Sequence, residues 1–291
     1  MNKLITQFIL LFTALFIQLN ANATTMKRIV TESAVLAPQP ILIEAPMPIE
    51  AEYLAKRLSN VRIEYSGYFT FYIGTLDNYP VIVAETGKGL ENTAAATAIA
   101  IERYRPLAII NQGTSGGHDP ALMVGDIVLG KRTVNIGNFK TSHKKTGQGS
   151  DPFSWIPMDI MASKGSAGED SGAKDAEKIR FYAGSPTLLN SAIAVKNLYK
   201  RGRVVEGTIG SANFWNNEID RILWFHKNFG TSAEEMEGAA AAMIASEYNI
   251  PMLSIRVLSN NLTNGGEYDP STAQDCQQYV LNTVKHYIAT L

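Results

Sequence analysis

Short apolar runs recur along the chain, and most are followed by a stretch with apolar positions at helical spacing. ILIEA (41–45), YFTFYIGTL (68–76), PVIVAET (80–86), LAIINQG (107–113), GDIVLG (125–130), RVVEGTIGS (203–211) and PMLSIRVLS (251–259) read as strands. IEAEYLAKRL (49–58), ENTAAATAIAIERY (91–104), TLLNSAIAVKNLY (187–199), NEIDRILWFHKNF (217–229), MEGAAAAMIASEY (236–248) and residues 271–291 read as helices. DNYP separates two of the strands, Pro106 stops one helix and Gly230 ends another. Ser185-Pro186 and Ser271 are candidate helix starts. Strands alternating with helices predict a layered α/β fold with a largely parallel sheet. No internal repeat and no second compositional domain interrupts it.

Two segments break the pattern. Residues 138–180 are polar and rich in Gly, Ser and Lys, around the apolar patch FSWIPMDIM. Loops this long are functional or disordered in most compact domains, so a flap over a ligand site and a solvated insertion are equal alternatives. At the start, Lys3 precedes a largely apolar run, Leu4 to Leu19, and Ala21-Asn22-Ala23 gives small residues at cleavage spacing. Residues 1–23 are therefore expected to be a signal peptide cleaved after Ala23, leaving a secreted or periplasmic domain over 24–291. An uncleaved anchor is the rival reading; after cleavage no membrane segment is expected.

Composition narrows the function. The formal charge of −1 becomes −2 when Lys3 is removed, so no electrostatic footprint for nucleic acid is present. Cys276 is the sole cysteine, which excludes an intrachain disulfide. The four histidines lack metal-ligand spacing, and neither metal nor cofactor is expected.

Ligands of such sheets sit at the carboxyl ends of strands, and four stretches reach that edge. APMPIEAE (45–52) puts Glu50 near a helix start, where the helix dipole alone would favour an acid. NQGTSGG (111–117) reads as a glycine turn that a ligand could approach, or a plain tight turn. TSAEEMEGAAAAM (231–243) sets Glu234, Glu235 and Glu237 before a helix with almost no side chains on one face. A carboxylate there needs donors, and sugar hydroxyls would serve. Glu234 reads as a solvated first-turn acid. RVLSNN (256–261) ends a buried strand in polar residues, which could be ordinary turn chemistry.

Taken in this order, the four stretches resemble the nucleoside phosphorylase/nucleosidase superfamily, most closely the 5'-methylthioadenosine/S-adenosylhomocysteine nucleosidases. The likeness covers roughly residues 41–290 and is strongest at 111–130 and 234–259. The insertion at 138–180 is not matched by the compact members. The resemblance implies a three-layer α/β/α sandwich around a central mixed, partly barrel-like sheet. It also implies a small-molecule nucleoside as ligand and a homodimer.

Carried over residue by residue, it implies that Glu50 activates water and that Glu237 binds the ribose hydroxyls, with Met236 against the sugar. Thr114 and Gly113 of the Gly-rich stretch would lie at the ribosyl site, Phe214 would stack on the base, and Ser259 would line the base site. Glu235 fits the pattern without an assigned role. Asn111-Gln112 stands where the phosphorylases carry a phosphate-binding arginine, so hydrolysis is favoured over phosphorolysis. Asn260 stands where the nucleosidases carry the aspartic acid that protonates the purine at N7. An amide delivers no proton. The readings that follow are a slow adenine nucleosidase, an enzyme for 6-oxopurine nucleosides, or a nucleoside-binding protein without turnover. The plant vegetative storage proteins look like a precedent for the last.

Overall fold

Strand β1 (Ile41–Ala45) is buried along its whole length because both of its faces are covered. Its odd positions Ile41 and Ile43 enter one apolar cluster, and Leu42 enters another on the opposite face. The same alternation runs through β4 (Tyr79–Glu85) and β5 (Ala108–Gly117): Val81, Val83 and Ile110 point one way, Ile82 and Ile109 the other. This period of two on a doubly covered sheet makes the central strands near-continuous apolar runs. The computed structural model describes residues 38–149, 151–161 and 178–291. The candidate signal peptide and much of the polar insertion lie outside the described residues.

The other main strands are β2 (Ser59–Ser66), β3 (Phe69–Leu76), β6 (Ile127–Asn135), β7 (Val204–Ser211), β8 (Thr231–Glu235) and β9 (Met252–Asn260). The helices are α1 (Pro48–Ala55), α2 (Leu90–Tyr104), α3 (Pro186–Ala194), α4 (Ile219–Phe229), α5 (Gly238–Glu247) and α6 (Thr272–Ala289). Strand pairing closes a ring, β6–β7–β8–β5–β9 and back to β6. From β5 the sheet continues outward through β1, β4, β3 and β2. Helices α1, α3 and α6 pack together on one face, and α2 and α5 on the other. The result is the three-layer, partly barrel-like arrangement that the resemblance implied.

The sheet is mixed rather than largely parallel. β2, β3 and β4 form antiparallel hairpins, and β8 and β9 run antiparallel to β5 and β6 respectively. Two strands escaped the sequence reading. β2 is mostly exposed, so no buried run announced it. β8, TSAEE, is fully buried yet polar, which made it look like a helix lead-in. The presumed glycine turn at 113–117 is the end of β5, held extended by β8 on one side and β9 on the other. Ser185 accepts a long hydrogen bond from the Leu188 N–H, 3.5 Å, while Ser271 makes no side-chain cap.

Candidate active site

The carboxyl ends of β1, β5, β8 and β9 open into one cavity of about 430 Å³. Glu50, in the first turn of α1, presents its carboxylate there. Its Oε1 accepts from the Thr114 N–H (2.7 Å) and hydroxyl (2.8 Å) at the end of β5. Its Oε2 is buried and has no hydrogen-bond partner within the protein. Burial raises the Glu50 pKa above the ordinary carboxylate range, against the lowering effect of Thr114 and Arg256. The carboxylate therefore keeps one oxygen without a partner inside the protein.

Glu237 arrives from the other side, between β8 and α5. Its Oε1 accepts from the Gly89 N–H (3.0 Å), at the turn before α2. Burial, and then the charge of Glu235, push its pKa up to about 8, with Arg256 and Gly89 pulling the other way. Glu50 and Glu237 line the same cavity.

Behind them lies a buried network centred on Arg256 of β9. Its guanidinium donates to Glu235 (Nε to Oε2, 3.1 Å) and to the Asn111 side-chain oxygen, and its Nη2 lies 3.7 Å from Glu237. Glu235 also accepts from the N–H groups of Glu237 (2.9 Å) and Gly238 (2.8 Å), which makes it the cap of α5. The residue left without a role by sequence is thus the anchor that holds the Glu237 backbone in place. Gly113 does not line the cavity. A Cβ there would stand 2.8 Å from Glu50 Oε1 and 3.1 Å from Arg256 Nη1, so the glycine lets the acid and the cation close over the strand.

The far part of the cavity is lined by Phe214, Trp215, Asn216, Glu234, Ser259 and Asn260. Phe214 is stacked on Phe225 of α4, with ring centroids 5.7 Å apart. Glu234 is not a solvated acid: it is buried on β8 and its Oε2 pairs with His118 Nε2 at 2.9 Å. A carboxylate beside two glutamates looked like a charged helix start; its partner His118, just past the end of β5, is distant in sequence and carries no local signal. The Asn260 oxygen accepts from the Ser259 hydroxyl at 2.9 Å. Of the residues expected at the site, Glu50, Thr114, Phe214, Met236, Glu237, Ser259 and Asn260 line the cavity.

The described part of the 138–180 insertion does not line it. It packs on α4 instead: Phe139 contacts Trp224, Phe225 and Phe229, and Trp155 stands against Phe139. Among the described residues no cluster of metal-ligating side chains occurs, and no helix is long and apolar enough to cross a membrane.

The chain has counterparts among known proteins. The phosphorylase superfamily profile matches residues 40–290, and the chain belongs to that family. It is 28% identical over 244 residues to the 5'-methylthioadenosine/S-adenosylhomocysteine nucleosidase of Anoxybacillus flavithermus, covering 84% of this chain and 94% of that one. It is 27% identical over 252 residues to the nucleosidase of the same name from Bacillus cytotoxicus, covering 86% and 97%. Among solved structures, the adenine complex of the Colwellia psychrerythraea nucleosidase aligns with a TM-score of 0.66 at 25% identity, covering 85% of this chain and 95% of that one. The futalosine hydrolase of Helicobacter pylori shares the fold, with a TM-score of 0.67 at 20% identity over 85% and 97% of the two chains.

Proposed function

We propose that the protein hydrolyses the N-glycosidic bond of a purine nucleoside. It is an N-glycosyl hydrolase, as its nucleosidase relatives are named. The observation that carries the reading is that Glu50 and Glu237, far apart in the chain, line one cavity large enough for a nucleoside. Breaking the bond between C1' and the base nitrogen sends the electron pair to the base and leaves oxocarbenium-like charge on the ribose. Glu237, hydrogen-bonded to the ribose hydroxyls, opposes that charge in a site shielded from water. The Glu50 carboxylate accepts the proton of the attacking water, with Thr114 holding it in place. The water oxygen adds to C1', the departing base takes up a proton from solvent, Glu50 releases the one it accepted, and the products are free base and ribose.

Phosphate is a poor fit as nucleophile. Glu50, Glu234, Glu235 and Glu237 all line the cavity, with Lys88 as the one basic side chain among the described lining residues. Arg256, buried behind the acids, gives its Nε and Nη2 to Glu235 and Asn111.

Asn260 bears on catalysis with different bases. Without a proton donor at that position, general-acid help worth about 10²–10⁴ in rate is missing for adenine nucleosides such as methylthioadenosine. We therefore favour a 6-oxopurine nucleoside. The leader-like start, Lys3 with the apolar run and Ala21-Asn22-Ala23, supports an exported enzyme; the family resemblance supports a homodimer.

The test is site-directed. Glu50→Gln and Glu237→Gln are each expected to lower kcat/KM for the preferred nucleoside at least about 10²-fold. Both variants should melt as cooperatively as the parent. Parent-like turnover in either one removes the assignment. Asn260→Asp is expected to raise turnover of methylthioadenosine by restoring a proton donor; unchanged kinetics would show that another group supplies that proton.

A further inference from the structure

Beside the main cavity lies a smaller one of about 110 Å³. Four residues line both: Gly116, Asn216, Glu234 and Asn260. Their meeting is a consequence of strand order. Gly116 of β5 pairs with Glu234 of β8 on one side and with Asn260 of β9 on the other. With no side chain at 116, the two polar side chains flank an open strip of backbone; a Cβ there would lie 3.3 Å from Asn260 Nδ2.

The two polar groups differ in what they can offer a ligand. Ser259 has one hydroxyl proton and two acceptors in reach, the Ser115 carbonyl (3.1 Å) and the Asn260 oxygen (2.9 Å). If the proton goes to Ser115, the Asn260 amide can turn and donate to the Ser259 oxygen. Asn260 thus presents either sign to the cavity and does not discriminate between bases by itself.

Glu234 has no such freedom. Its Oε1 accepts from the Asn216 N–H (3.2 Å), and its Oε2 from His118 Nε2 (2.9 Å) and the Asn216 amide (3.4 Å). His118 is itself buried, with Nδ1 at 2.7 Å from the Thr231 hydroxyl, which can donate to it and leave the Nε2–H for the Glu234 carboxylate. Three donors from the protein converge on one carboxylate. An ionised carboxylate only accepts, at about four lone-pair sites, so one acceptor position remains for the cavity.

We infer that Glu234, locked by His118 and Asn216, sets the base specificity of the site by accepting the N1–H of a 6-oxopurine. This rests on the nucleosidase reading above and deepens it. A 6-oxopurine presents a ring N1–H beside an O6 acceptor. Glu234 takes the first, and Asn260, turned to donate, takes the second. A 6-aminopurine presents an N1 lone pair beside an amino group. Asn260 turns to accept from the amino group, but the N1 lone pair then faces a buried carboxylate. A site built around one hydrogen bond rejects the analogue that lacks the donor, because its own polar group is left unpaired.

The experiment measures binding of hypoxanthine and adenine by calorimetry, and kcat/KM for inosine and adenosine. Both use the intact mature protein and its Glu234→Gln variant. The parent is expected to bind hypoxanthine at least about tenfold tighter than adenine. Glutamine can turn a donor toward N1, so Glu234→Gln should shift that ratio at least about tenfold toward adenine. A purely structural His118–Glu234 pair would weaken both bases equally and leave the ratio alone. Equal or tighter adenine binding by the parent overturns the inference, and needs no variant to fold. An unchanged ratio in a folded Glu234→Gln overturns it as well. If the bases bind as expected but no nucleoside is cleaved, the hydrolase reading fails and the specificity assignment stands. If adenosine is cleaved in preference to inosine, the hydrolase reading stands and this assignment falls.

Discussion

At the scale of single residues, the site is a problem of too many acids for one cation. Glu44, Glu50, Glu235 and Glu237 are all buried around Arg256. Only Glu235 pairs with it by direct hydrogen bonds. Glu44 shows how the others stay buried. Desolvation pushes its pKa to about 7. Its neighbour Thr97 has one hydroxyl proton but two acceptors at 2.7 Å, Glu44 Oε1 and the Thr93 carbonyl. A protonated Glu44 donating to Thr97 satisfies all three groups. The folded pKa is raised above the ordinary carboxylate value of 4.5, so the folded state binds the extra proton. That stabilisation is complete below pH 4.5 and is lost as pH rises through about 7, by about 3 kcal/mol. Glu44→Gln mimics the protonated form. Its urea midpoint relative to the parent is expected to rise from pH 5 to pH 8; a constant difference would refute the protonated acid. The same direction of shift governs activity. Glu50 and Glu237 must be ionised to work, and the Glu237 pKa stands at about 8 in the free protein. kcat/KM should therefore fall as pH drops below about 8, and a profile flat to pH 5 would contradict the assigned roles. Glu50 and Glu237 were singled out through the family resemblance, since neither stands out by residue type alone. Glu44, Glu234 and His118 were not, since burial and long-range pairing create their chemistry and neither is written locally.

At the scale of elements, β8 and α4 explain most of what the sequence concealed. β8 is polar because its side chains serve the site and its framework: Glu234 reaches His118, and Glu235 caps α5 and binds Arg256. Hydrophobic periodicity finds strands that face a core, and this one faces functional groups. Gly113 shows the converse, a glycine read as a turn whose purpose is close approach. Gly113→Ala should displace the Glu50 carboxylate and lower kcat at least about tenfold, with KM less affected; parent kinetics would mean that Glu50 tolerates the methyl group. The insertion is tied to α4 through Arg221. Its guanidinium lies 4.4 Å from the Phe225 ring and 4.5 Å from the Trp224 ring, and Nη1 donates to the Pro152 carbonyl at 2.9 Å. Phe225 in turn backs Phe214. Arg221→Ala is expected to cost about 1–3 kcal/mol of stability and to raise KM while sparing kcat. A change in kcat alone would place the insertion closer to the chemistry than this packing allows. The described part of that segment packs on α4, whose Phe225 stands behind Phe214 of the cavity wall.

At the scale of the molecule, strand closure brings four distant stretches to one opening. The α/β alternation was plain in the apolar runs, and the resemblance supplied the closed, mixed sheet that periodicity could not. Antiparallel entry of β8 beside β5 is what places Glu234, Gly116 and Asn260 side by side. The same closure stacks carboxylates around the cavity and argues for water against phosphate as nucleophile. The most direct measurement is product analysis of the protein with inosine, with and without added phosphate, in water enriched in ¹⁸O. The account predicts hypoxanthine and free ribose at the same rate in both conditions, with the label at C1, and loss of both products in Glu50→Gln. Ribose 1-phosphate formed only with phosphate, or full cleavage by Glu50→Gln, would contradict it.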